Sequence, residues 1–139
     1  MFAVLAGLAM GACGFAGDTT PSVISLEVSG NEGETVNLIA TSFFVAAEDE
    51  FGTIQVSILL ADTISLTLPI DTVFGIELEQ QIFFQLSPMV EDELDVRVEI
   101  RVDGRSLMND RGLIFLATPW RFVYLFNRVF NSDNIDVVI

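Results

Sequence analysis

From Ile24 onward, apolar and polar side chains take turns along much of the chain. Ile24, Leu26 and Val28 alternate with Ser25 and Glu27, and Val36, Leu38 and Ala40 repeat the pattern within Thr35 to Thr41. Ile54, Val56, Ile58 and Leu60 form a third series, and Ile64, Leu66, Leu68 and Ile70 a fourth. The clearest series is Leu94, Val96, Val98, Ile100 and Val102, interleaved with Asp95, Arg97, Glu99 and Arg101. Successive residues of a strand face opposite sides, so period two predicts strands with one face in a core and one in water. The last series places acid and base alternately on its wet face, where they can pair across neighbouring strands.

Denser apolar stretches lie between these series. Phe43 to Ala47 reads as a separate strand or as a continuation past a bulge. Phe74 to Leu86 holds one or two strands with a break near Gln80-Gln81, and Leu113 to Leu116, Phe122 to Phe126 and Ile135 to Ile139 are further strands. The third and fourth series, separated only by Ala61-Asp62-Thr63, predict a hairpin. Ser29 to Gly33 and Glu48 to Gly52 are turns, Pro88 to Glu93 is an acidic loop or a single helical turn, and Asp103 to Gly112 is read as one turn region. No long segment repeats at the helical period. About seven to nine short strands predict an all-β, antiparallel β-sandwich.

Composition narrows the chemistry. Apolar residues make up 51% of the 139, enough for one well-filled core without disulfides. Twelve Phe against one Trp and one Tyr point to core filling, because aromatic recognition favours rings with a polar handle. Twenty acids against six arginines leave a net charge of -14. Such a surface repels phosphate backbones, so nucleic acid is not an expected partner. Histidine and lysine are both absent. Triads and zinc sites built on His, Schiff bases and the P-loop lysine therefore cannot be assembled from this chain. With one cysteine it cannot form an internal disulfide. Neither a cofactor nor a metal site is expected, and the chain is not expected to be an enzyme.

The amino-terminal run Met1 to Ala16 is apolar and 16 residues long. That is short of the ~20 a helix needs to span a bilayer. It contains Met10-Gly-Ala-Cys13, an aliphatic residue, two small residues and the lone cysteine. This resembles the sorting pattern of bacterial lipoproteins, with Met standing where Leu is usual. The resemblance implies export, cleavage before Cys13 and lipid attachment to the Cys13 thiol. Gly14 rather than Asp follows the cysteine, which on the same resemblance implies the outer membrane. No basic residue precedes the run; a true start upstream of Met1 would supply one, and the upstream reading frame checks this. Two other uses stay open: a non-lipid signal cleaved near Ala12 or Ala16, leaving a soluble exported protein, and a membrane anchor. The expected organisation is a signal segment at 1–12, a tether at 13–21 and a single β-sandwich domain at 22–139.

Two further stretches carry a second resemblance. Asp18-Thr-Thr-Pro-Ser-Val-Ile-Ser-Leu followed by Ala47-Glu-Asp49-Glu-Phe-Gly52 is similar to bacterial immunoglobulin-like domains, in an opening strand and a turn between core strands. The turn has a physical sense: Asp49 can cap it with its own carboxylate, and Gly52 can take a positive φ. The antibody-type Cys-Trp-Cys signature is absent. This resemblance covers Asp18 to Val102 and implies an immunoglobulin-like sandwich outside the cytoplasm.

The candidate sites that remain are acids and aromatics. Glu48, Asp49 and Glu50 share one turn, and Glu91, Asp92 and Glu93 another. Solvated neighbours of this kind do not form the facing pair, one of them buried, that glycoside hydrolysis needs. Calcium would use Asp18, Glu48, Asp49, Glu50 and Asp103 only if their loops converged, and solvated turns are the favoured reading. Trp120 to Phe126 is expected to be a core strand with Phe122, Tyr124 and Phe126 on one side and Trp120 the most exposed; a binding face or a pairing edge is the alternative. The expected function is a lipid-anchored interaction module of the cell envelope that recognises a protein or glycan. A structural subunit that self-associates through edge strands is the alternative.

Overall fold

A computed structural model describes residues 20–138. Its twelve strands are β1 (Val23–Gly30), β2 (Thr35–Thr41), β3 (Phe44–Glu48), β4 (Ile54–Ile58), β5 (Thr63–Thr67), β6 (Ile70–Gly75), β7 (Gln81–Pro88), β8 (Glu93–Val102), β9 (Arg105–Phe115), β10 (Trp120–Leu125), β11 (Arg128–Asn131) and β12 (Ile135–Val138). They form a front sheet in the order β6-β1-β8-β9, a central sheet β11-β10-β7-β2-β5 and a small third sheet β12-β4-β3. All neighbours are antiparallel except β12 and β4. The expected all-β sandwich is present, with more strands than anticipated and a third layer behind it.

The front and central sheets enclose the main core. Its front half comes from the alternating series: Ile24, Leu26 and Val28 of β1 and Val96, Val98, Ile100 and Val102 of β8. Facing them are Val36 and Leu38 of β2, Phe84 and Leu86 of β7, and Phe122 and Tyr124 of β10. The residues between these point the other way. Ile39, Phe83, Val123 and Leu125 leave the central sheet on its far face and meet Phe44, Ile54, Val56 and Ile135 of the third sheet in a second core. Both faces of β7 and β10 are thus covered, so Ile82-Phe83-Phe84 reads as an unbroken apolar run rather than as alternation.

The third sheet lies across the central one. β3 leaves the corner beside Thr41, where the Thr41 hydroxyl donates to Leu60 O at 2.6 Å. It ends at Glu48, whose carboxylate accepts from Arg128 of β11. Between β2 and β11 lie β7 and β10, a span of about 15 Å at normal strand spacing, and five extended residues cover about the same distance.

Three expectations need correction. The hairpin predicted from residues 54–70 does not form: β4 pairs with β3 and β12, whereas β5 pairs with β2. The connection from Leu59 to Asp62 carries the chain from one layer to another instead of reversing it. The turn region expected up to Gly112 is only Asp103-Gly104, both at positive φ, after which β9 runs back along β8. β9 is an exposed edge strand, so it carries no apolar alternation to reveal it. Phe126 does not continue the face of Phe122 and Tyr124; it occupies a second tight turn with Asn127, again with both φ positive.

Candidate functional site

Cys13, the proposed lipid-attachment residue, lies outside the described residues, as do the signal segment 1–12, most of the tether and Asp18. The chain becomes described at Thr20 and is immediately clamped. Pro21 O accepts from the Gln80 side-chain amide at 2.8 Å, and the Ser22 and Val23 amides donate to the Asp103 carboxylate at 3.1–3.3 Å. Gln80 sits at φ 55, a costly backbone state for a non-glycine residue, and its side chain also donates to Ile76 O. These groups fix the end of the sandwich at which the tether arrives.

The acidic turns do not meet. The Asp49 carboxylate accepts from the Phe51 and Thr53 amides at 2.8 and 3.0 Å, and Gly52 has φ 83, as the turn chemistry predicts. Glu48 is held bidentate by Arg128 at 2.7 and 2.9 Å. That hydrogen-bonded guanidinium lowers the Glu48 carboxyl below its ordinary value, and the same cation lies 5.0 Å from the centre of the Phe130 ring. Asp103 is occupied at the tether end, while the loop holding Glu91 and Asp92 lies at the opposite end, after β7. Among the described residues no three acidic side chains gather closely enough to hold a metal ion.

The aromatic run is mainly a core strand. Phe122 and Tyr124 are buried in the main core and Val123 in the second. Trp120, expected to be the most exposed, is partly buried and stacks on Phe122 at 6.2 Å and 10°; Phe126 is the exposed one. The Tyr124 hydroxyl donates to Asn127 Oδ1 at 2.9 Å, and burial raises its pKa above the usual value.

The outer face of the front sheet is the richest polar surface. Register places Arg97 opposite Arg111 and Glu27 opposite Glu99, two like-charged pairs. Direct opposition of like charges is unfavourable, and the side chains escape it along diagonals. Arg111 bonds Asp95 at 2.9 Å, which lowers the Asp95 pKa, and Arg101 bridges Glu27 and Glu99 at 2.6 and 2.8 Å. Arg97 hydrogen-bonds only Asn109, at 2.9 Å, and has no carboxylate partner among the described residues. It forms the shared wall of two shallow hollows. One, about 340 Å³, is lined by Ser29, Asn31, Asp95 and Arg111; the other, about 310 Å³, by Val28, Pro69 and Ile70 together with Glu27, Asp71 and Glu99. The alternation of β8 made Arg97 legible as a surface residue, but Arg111 was hidden in the misread β9.

The sheet edges differ. β9 is protected by a register shift at Ile100/Arg101 and by the charges of Asp110 and Arg111. β5, at the edge of the central sheet, is Thr-Ile-Ser-Leu-Thr with no charge at all. The chain matches no protein-family model, no curated protein and no solved structure.

Proposed function

We propose that this chain is a non-catalytic interaction module of the cell envelope, exported and tethered by lipid at Cys13 in the outer membrane, with the outer face of the front sheet as its binding surface. The observation that carries the binding role is Arg97. In a chain with so large an acidic excess, Arg97 lacks a carboxylate partner among the described residues and stands between two hollows, one mainly polar and one lined by Val28, Pro69 and Ile70 as well as by acids. A guanidinium so placed offers paired donors to an acidic group on a glycan or protein. The tether rests on the sequence around Cys13, and the immunoglobulin-like kinship on the Asp49-capped turn ending at Gly52. Two measurements test the reading. Intact mass of the native membrane-extracted protein should start at Cys13 and include acyl chains; a mass beginning at Cys13 or Gly17 without them means soluble export. Binding to an array of acidic and neutral glycans, or to envelope proteins, should be lost in Arg97→Ala, while turnover of any substrate would contradict the non-catalytic role.

The second reading, a self-associating structural subunit, is favoured by β5. An uncharged edge strand presents free backbone donors and acceptors to another chain. Light scattering after size exclusion decides: a stable monomer argues against it, whereas an oligomer dispersed by Ser65→Lys supports it.

A further inference from the structure

Large apolar side chains are left in water at both ends of the sandwich, Val90 and Leu113 among them at the far end, and one such group lies at the tether end. The loop between β6 and β7 exposes Leu78 (87%), and the β10–β11 turn exposes Phe126 (62%). Phe43, Leu59 and Leu60, each more than half exposed, stand beside them. Hydrogen bonds place the segments that carry these residues at one end of the fold. The Phe126 amide donates to Gln80 O at 3.0 Å, and Gln80 holds Pro21. The neighbouring Gln81 side chain donates to Ser42 O and Phe44 O on either side of Phe43, whose own carbonyl accepts from the Leu59 and Leu60 amides. The apolar group therefore lies at the same end of the fold as the point where the tether joins.

From this we infer that the tether end is a lipid-docking surface: Leu78, Phe126, Phe43, Leu59 and Leu60 rest in the headgroup layer of the bilayer that holds the anchor. The inference rests on the Cys13 anchor proposed above. Nine residues, Cys13 to Pro21, reach at most about 30 Å even when fully extended, so this end is the part of the fold nearest the lipid. Exposed Phe and Leu are the side chains that bury shallowly at a membrane surface. Charge selects the kind of lipid. Glu77 and Glu79 flank Leu78, and Asp62 and Asp103 lie at the same end, with Arg105 and the Glu48-paired Arg128 the nearby cations. An acidic rim is repelled by anionic headgroups, so the surface fits a zwitterionic one. Docking there would stand the sandwich on its end and leave the Arg97 face pointing sideways, open to a partner.

The test uses the full native chain, extracted from membranes, weighed intact and reconstituted into phosphatidylcholine vesicles with brominated acyl chains. Trp120 begins β10 at the opposite end and is a built-in control. A second protein carries Trp120→Phe with Leu78→Trp, and a third Trp120→Phe with Phe126→Trp, so that one disturbed loop cannot decide the result. Tryptophan at 78 or 126 should be quenched several-fold more strongly than Trp120, and the quenching should weaken when phosphatidylglycerol replaces half the lipid at low salt. Acylated protein with all three tryptophans equally unquenched overturns docking and leaves the anchor standing. Strong quenching at 78 and 126 in protein without acyl chains supports docking and removes the anchor. Protection of position 78 from the neutral quencher acrylamide in the absence of any lipid assigns the surface to a second protein copy and overturns the inference.

Discussion

Phe83 and Phe84 are neighbours in β7, both fully buried, yet they serve different structures. Phe84 enters a core of nineteen buried residues shared by two broad sheets; Phe83 enters one of seven, capped by three short strands. The larger core draws on four- and five-stranded sheets and should unfold only with the whole molecule. The smaller is closed by a layer whose few buried side chains provide limited stability on their own, the situation in which local opening precedes global unfolding. A strand covered on both faces is thus a joint between two units of unequal strength.

The largest effect should come from Phe84→Ala, which removes a ring stacked on Phe122 and tilted against Phe74. It should cost about 3–5 kcal/mol, read as a lower urea midpoint for all probes together. Phe83→Ala deletes the same volume but should cost about 3 kcal/mol or less, concentrated in faster amide exchange at Ile54 and Val56. If both substitutions accelerate exchange equally in β1 and β4, the two cores are a single cooperative unit. Tyr124→Phe keeps the ring in the main core and loses only the bond to Asn127, about 1 kcal/mol. Because burial raises the folded-state pKa of Tyr124, its neutral form is favoured by folding. Stability should therefore fall as pH rises above about 10 towards the higher folded value, and the substitution should flatten that fall.

The smallest effect concerns the third layer alone. Glu48 has a lowered pKa in the fold, so the Arg128 link contributes above pH 4.5 and is lost as pH falls through the still lower folded value. Amide exchange in β3 should quicken on acidification, and Arg128→Ala should remove much of that dependence. A β3 response unchanged by this substitution would place the acid sensitivity elsewhere.

The same contrast explains what could be read from the sequence. β1, β2, β4 and β8 pack on one face and face solvent or a looser layer on the other, so their alternation announced them. β7 and β10 pack on both faces and showed only as apolar runs, which gave strands without their partners. β9 packs weakly on either face, and Arg105 to Gly112 therefore looked like a turn, although Asp103-Gly104 after a long strand is a hairpin signal in its own right. The third layer was illegible because nothing local distinguishes a chain that reverses from one that changes sheets between Leu59 and Asp62. Among the candidate residues, the Asp49 cap was legible because turn chemistry is local. The role of Arg97 was not, since it depends on Arg111 and Asn109 across the sheet and on Asp71 two strands away.

The pairing of β12 with β4 sets an order of events. Ile135 lies beside Ile54 in register, so the two partners are separated by most of the described chain. A ribosome delivers the amino end first, and until β12 arrives the middle strand of the third layer has one bare flank. Distant pairings of this kind form late, so the third layer is completed only after the strands that precede β12 are in place.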